Sequence, residues 1–175
     1  MRRVLAGVLA CVFAISANAS LAQDKPPLKL GGILDMSSLY ADITGSGSET
    51  AAKMAAEDFG GAVLGRKIEI VVGDHLNKAD LSANIARDMI DNQGVEMIFD
   101  VAASATALAA AEIAKARGKI IMFNGPGSIR LSNEACGPYT VHYVFDTFAQ
   151  ANVTGLAAVK SGLDTWFFLA EAQPA

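Results

Sequence analysis

Apolar and polar positions alternate between two periods along this chain, and the changes of period mark its elements. "LKLGGIL" (28–34) is a short apolar run that reads as a strand, after a flexible "DKPP" lead. The polar loop "DMSSLYADITGSGS" follows, and then "ETAAKMAAEDF" reads as a helix stopped by Gly60 and Gly61. Ala51, Met54, Ala55 and Phe59 fall on one face of it at helical spacing. Glu49 with Lys53, and Lys53 with Glu57, are charge pairs four apart. "RKIEIVVGD" predicts a second strand. "NKADLSANIARDMIDNQG" predicts a second helix, with Leu81, Ile85 and Met89 spaced by four, Asn77 or Asp80 as cap and Gly94 as stop. "VEMIFDV", "SATALAAAEIAKARG" and "KIIMF" continue the series as strand, helix and strand. Strict alternation with short connections predicts an α/β fold, a parallel sheet with helices on both faces. Right-handed crossovers put the loops that follow the strands at one edge, where open α/β sheets bind ligands.

Ahead of this array stands a segment of another kind. "MRRVLAGVLACVFAISANASLAQ" has two arginines, an apolar run from Val4 to Ile15, and the small-residue sites "ANA" and "SLA". That layout is a cleaved export signal, residues 1–22, with the cut expected after Ala22 and Ala19 as the alternative. A lipoprotein cleavage at Cys11 would fall inside the apolar run, so it is set aside. The run is too short to span a bilayer comfortably, so no membrane insertion is expected after cleavage.

Composition narrows the function classes. Of 175 residues, 52% are hydrophobic and 18% charged, which fits one globular domain rather than a disordered chain. The formal net charge is -4, and loss of Arg2 and Arg3 would take it to -6. With that sign and no Lys/Arg cluster, nucleic acid is not an expected partner. Export implies an oxidising compartment, yet the mature part keeps one cysteine, Cys136, expected to be a buried free thiol or one whose partner lies elsewhere.

The candidate chemistry lies in the loops after the strands. Ser104 in "VAASATAL" stands where strand becomes helix, a natural N-cap beside unpaired amides that favour negative charge. "FNGPGS" (123–128) holds only small uncharged residues after its first position, and its glycines could take positive φ to form a nest of amides for an anion. Enzyme motifs are missing: "TGSGSE" follows a long loop, not a strand, and no Walker or G-x-S-x-G pattern occurs. His75 and His142 are too scattered for a metal site, and Asp74 with His75 at a strand end reads as solvated. No cofactor is expected.

Taken in order, the signal, "LKLGGILDMSSLYADITGSGSETAAKMAAED", "GDHLNKADLSANIARDMID", "MIFDVAASATALAAAEIA", "IIMFNGPGSIRLS" and "HYVFDTFAQANVTG" resemble the first lobe of a type I periplasmic solute-binding protein of the branched-chain amino acid transporter type. The resemblance implies a non-enzymatic periplasmic receptor, the substrate-binding component of an ABC transporter, that takes a small polar solute (an amino acid or related acid or amide) to a permease. It implies that Ala103, Ser104 and Ala105 bind the ligand's polar head together with Gly127 and Ser128. Asp146 would face a cationic group, and Tyr40 to Ile43 would form a side wall. The domains expected are the signal at 1–22, the α/β ligand-binding lobe at 23–163, and at 164–175 the start of the crossover to a second lobe that is missing. "TWFFL" would be the first strand of that lobe. A non-binding truncated fragment and a secreted α/β enzyme using the same loops are the alternatives.

Overall fold

The computed structural model describes residues 25–167, so the expected signal and the last eight residues lie outside the described part. Among the described residues six strands form one sheet in the order β2-β3-β1-β4-β5-β6. They are β1 (Leu28–Leu34), β2 (Ala62–Val63), β3 (Arg66–Asp74), β4 (Val95–Asp100), β5 (Ile120–Phe123) and β6 (Thr140–His142). Four described α-helices connect or follow them: α1 (Gly45–Asp58), α2 (Ala79–Asp91), α3 (Ser104–Ala116) and α4 (Thr147–Lys160). β2 pairs antiparallel with β3, and every other pairing is parallel. β1 and β3 have the predicted bounds.

The chain runs from β1 outward to β3, then crosses back to β4 and β5 on the other side. Right-handed crossovers therefore set α1 on one face and α2 with α3 on the other. The order reverses at β1, so the carboxyl ends of β1 and β4 flank a topological switch point. Register brings those ends level: Leu34 lies opposite Asp74, and Ile33 opposite Asp100.

The core lies between the sheet and the α2–α3 pair. Ile33, Val95, Ile98, Ile121 and Phe123 meet Ala86, Met89 and alanines 107, 110, 111 and 114 of α3. Ser82 of α2 donates to the Thr106 carbonyl of α3 at 3.0 Å, satisfying one of the few buried polar groups there. Gly73 is required by this packing, since a Cβ on it would stand 2.5 Å from Ile85 Cγ2.

Several expectations are corrected. Helix α1 begins at Gly45, four residues early, because Thr44 is a cap: its hydroxyl accepts from the Gly45 amide and, at 3.4 Å, from that of Asp35. Its apolar stripe does not face the sheet. Ala51, Met54, Ala55 and Phe59 are exposed, while the smaller Ser48, Ala52 and Ala56 turn inward. Glu49 and Lys53 pair at 2.6 Å; Lys53 and Glu57 do not. Neither Asn77 nor Asp80 caps α2, whose N-cap is Lys78 without a side-chain bond. The lead is anchored, since Arg66 donates to the carbonyls of Pro26 and Pro27 while pairing with Glu96. Cys136 is exposed. Among the described residues Thr165 to Phe167 form no strand, and the rest of "TWFFL" lies outside them.

Candidate ligand-binding site

Three apolar strands each close on an acid or carry one just beyond: Asp35 after β1, Asp74 ending β3 and Asp100 ending β4. They build the sheet's carboxyl edge. Asp35 is fully buried and accepts from the Ser38 amide at 2.8 Å, the Ser38 hydroxyl at 2.7 Å and the Tyr40 amide at 2.9 Å. Burial works to raise its pKa, but these bonds outweigh it and hold the carboxyl below its ordinary value. Asp74 accepts from the Met36 amide at 3.1 Å, the Ser37 hydroxyl at 2.7 Å and the Leu76 amide at 3.0 Å. Its pKa is lowered too, again against burial. These two carboxylates fold the loop after β1 and thereby place Tyr40 and Ile43. Tyr40 is half-buried, and Ile43 is exposed at 78%.

The chain leaves β4 through two residues of positive φ, Asp100 at 74° and Val101 at 59°. For a β-branched residue such as Val101 this is an outlier of the kind stored at functional edges. It delivers the chain into α3. Ser104 is not the cap but the first helical residue; the N-cap is Ala103, with no side-chain bond. The first-turn amides of α3 therefore have neither an intrahelical partner nor a side-chain cap. Ala103 is buried, and its carbonyl is already taken by the Ala107 amide and the Thr106 hydroxyl, both at 2.8 Å. Ser104 and Ala105 are half-buried at the rim.

The loop after β5 lies alongside. A Cβ on Gly125 would come 3.1 Å from the Ala102 Cα, so a small residue there lets the two loops touch. The expected nest is not formed: neither Gly125 nor Gly127 has positive φ. The loop is instead clamped from its carbonyls. His142 of β6 meets the Pro126 carbonyl through Nε2 and Ser132 Oγ through Nδ1, both at 2.7 Å. The Thr147 amide, first in α4, donates to the Gly127 carbonyl at 2.8 Å, and a Cβ on Gly127 would be 3.4 Å from the Phe145 ring. Among the described residues the Gly127 amide has no hydrogen-bond partner. Ser128 Oγ accepts a long 3.4 Å bond from the Arg130 amide, which leaves its hydroxyl proton to donate. Asp146 is the N-cap of α4, accepting from the Ala149 amide at 2.7 Å.

Six predicted residues, Ala103, Ser104, Ala105, Gly127, Ser128 and Asp146, thus lie along three touching segments of one edge. Tyr40 and Ile43 lie in the loop after β1, on the other side of the switch point. Asp35 and Asp100 were missed, while Asp74 and His142 were weighed only as metal ligands and not as the residues that hold these loops. The acids had a signal, an aspartate closing each apolar strand. His75 is not solvated as expected but fully buried. Among the described residues no group of three or more His, Cys, Asp or Glu could hold a metal ion. No described helix is long and apolar enough to cross a membrane.

Comparison with known proteins agrees with this architecture. A family model described as periplasmic binding protein matches residues 27–175. A solved periplasmic binding protein from Burkholderia mallei is 48% identical with a TM-score of 0.75, over 78% of this chain and 36% of its own. A branched chain amino acid ABC transporter periplasmic ligand-binding protein from Burkholderia xenovorans is 33% identical, TM-score 0.72, over 77% of this chain and 36% of its own. A solute binding protein of an ABC transporter from Rhodopseudomonas palustris, solved in complex with 3,4-dihydroxy benzoic acid, is 27% identical, TM-score 0.69, over 78% and 37%. No curated protein matches. The chain spans about a third of the length of these solved relatives. Its sheet and helices correspond to one lobe of a type I periplasmic binding protein, and the chain belongs to the periplasmic binding protein family.

Proposed function

We propose that this chain is the ligand-holding lobe of an ABC transporter's substrate-binding component, exported to the periplasm after cleavage behind Ala22. Its ligand is a small polar solute carrying a carboxylate or an amide. The observation that carries the reading is the uncapped start of α3 beside the clamped loop after β5. In this arrangement the amides of Ser104 and Ala105, the Gly127 amide and the hydroxyls of Ser104 and Ser128 all serve as donors to one acidic head group. Oriented amides and hydroxyls favour an anion and supply no nucleophile with its base, which suits holding rather than conversion. Asp146 keeps a second carboxylate oxygen beyond its capping bond, suited to a ligand ammonium. Tyr40 and Ile43 form the side wall.

A single lobe tested alone offers its contacts to open solvent, so residues 23–175 by themselves are expected to bind at about millimolar strength, near 4 kcal/mol. The test is amide NMR of residues 23–175 titrated to tens of millimolar with leucine, 3,4-dihydroxybenzoate, acetamide and urea. Saturable shifts at residues 104–105 and 127–128 with an acid or amide support the proposal. Flat spectra for the whole panel, or shifts confined elsewhere, refute it.

A further inference from the structure

His75 is the first residue after β3, and its ring is fully buried. Its Nδ1 accepts the Asn77 amide at 2.9 Å. An amide donor at Nδ1 requires a lone pair there, so the ring is neutral with its proton on Nε2. Among the described residues that Nε2 has no hydrogen-bond partner, and neither does the buried Oδ2 of Asp100. Unpaired buried polar atoms are rare and costly. Two at one edge mark a place where the fold sacrifices stability.

The backbone beside the ring is also unusual. Leu76 and Asn77 have φ of 48° and 53°, a left-handed pair that a leucine adopts only under constraint. Three bonds hold it: the Asn77 amide to His75 Nδ1, the Leu76 amide to Asp74 Oδ1, and the Lys78 amide to the His75 carbonyl at 2.8 Å. The His75 amide itself pairs with the Leu34 carbonyl at 2.9 Å. The turn is therefore continuous with the edge where β1 ends and α2 begins.

A proton on Nδ1 would turn the acceptor into a donor aimed at another donor. Proton and turn exclude each other. We propose that His75 is an acid-operated latch: one proton on Nδ1 breaks the Asn77 contact and releases the 75–78 turn at the sheet's carboxyl edge.

The charged groups facing the ring are Asp35 beyond β1, Asp74 on its own strand and Asp100 on β4, and all three favour the imidazolium. Burial is the largest influence and opposes them, leaving the imidazole below its ordinary 6.5. With a folded value below the unfolded one, the latch contributes its full stability above about pH 6.5 and loses it as pH falls from there towards the folded value. Asp100 has the opposite sign. Burial raises its carboxyl above the ordinary 3.8, against the Ser48 hydroxyl and the His75 charge, so its contribution is complete below 3.8 and lost as pH rises through the folded value. Asp35 and Asp74, held below their ordinary 3.8, lose their contribution on acidification only beneath that value, so of these groups the histidine alone produces opening between pH 6.5 and 3.8.

The experiment uses the mature chain, residues 23–175, from pH 7.5 to 4.5. Ring nitrogen spectra follow the imidazole, and amide hydrogen exchange corrected for intrinsic rate follows residues 76–78. At pH 7.5 His75 should show the Nε2–H tautomer. Below pH 6.5 its titration and the loss of protection at Leu76, Asn77 and Lys78 should share one midpoint, with protection falling about tenfold per pH unit towards the folded value. In His75→Asn the side-chain oxygen can accept the Asn77 amide in an Asx-turn and does not titrate, so the acid step should vanish. An unchanged acid step in His75→Asn overturns the proposal. So does an Nδ1–H tautomer in the wild type, or an imidazole that titrates without loss of protection. Should His75→Asn not fold, these last two wild-type measurements decide alone.

Discussion

Removing the carboxylate of Asp35 should cost this lobe a large part of its stability. The group is fully buried and holds two backbone amides, those of Ser38 and Tyr40, at 2.8 and 2.9 Å. Hydrogen bonds to a charged acceptor contribute about 1.5–3 kcal/mol each. In Asp35→Ala the Ser38 hydroxyl can turn to water, so the loss is reckoned from the two amides alone, about 3 kcal/mol at the lower bound. Relief from burying a charge offsets some of this, and both donors are half-buried. The expected loss is roughly 2–4 kcal/mol, against a typical domain total of about 5–15 kcal/mol. Asp35→Asn keeps one carbonyl acceptor and should lose about half as much. Because the folded carboxyl sits below its ordinary 3.8, the wild-type advantage should be full above that pH and shrink as pH falls through the folded value. Urea unfolding followed by circular dichroism at pH 7 and pH 3 measures both effects. A loss under about 1 kcal/mol at pH 7 would refute the view that this carboxylate builds the loop after β1.

The other predictions concern the site, the core and the surface. Ser104→Ala with Ser128→Ala should weaken acid binding by about 0.5–1.5 kcal/mol per hydroxyl, read from the NMR titration midpoints; an unchanged midpoint removes both from the site. Gly73→Val should destabilise by about 1–3 kcal/mol or more, since Ile85 stands 2.5 Å from the new Cβ; a neutral result in urea unfolding would show that α2 can retreat freely. Phe148, Val153, Leu156 and Val159 are all exposed on α4, so residues 23–175 should self-associate. Sedimentation should show oligomers that Leu156→Asp with Val159→Lys reduces, and a monomeric wild type at about 100 μM would contradict this.

Much of the fold was legible because β1, β3, β4 and β5 read as short, mainly apolar runs bounded by polar and turn residues. "LKLGGIL" and "RKIEIVVGD" gave their own bounds, and β4 and β5 came within a residue. The edges were not legible. β2 has two residues and β6 three, too short for either period to show. Helix α1 misled because its larger apolar residues, Met54 and Phe59, are the exposed ones, and alanine gives little indication of which face is inside. The loops singled out in the sequence do lie at the sheet's carboxyl edge, yet their details departed from the residue chemistry. Ser104 is one position past the cap, and the glycines of "FNGPGS" serve close approach rather than positive φ. The buried acids escaped for a different reason. An aspartate at a strand end is solvated unless neighbouring strands end at the same height, and that height is set by sheet register, a property no single segment carries.

Alanines 107, 110, 111 and 114 line the buried side of α3. Alanine has no rotamers to lose, so seating this helix forfeits only backbone freedom, whereas four leucines would add roughly 0.5–1 kcal/mol each in side-chain entropy. The helix is also left with no alternative repackings at that face. Its first turn, with the amides of Ser104 and Ala105, is thereby fixed by main-chain geometry before any ligand arrives, and a solute docking there would have little ordering left to impose.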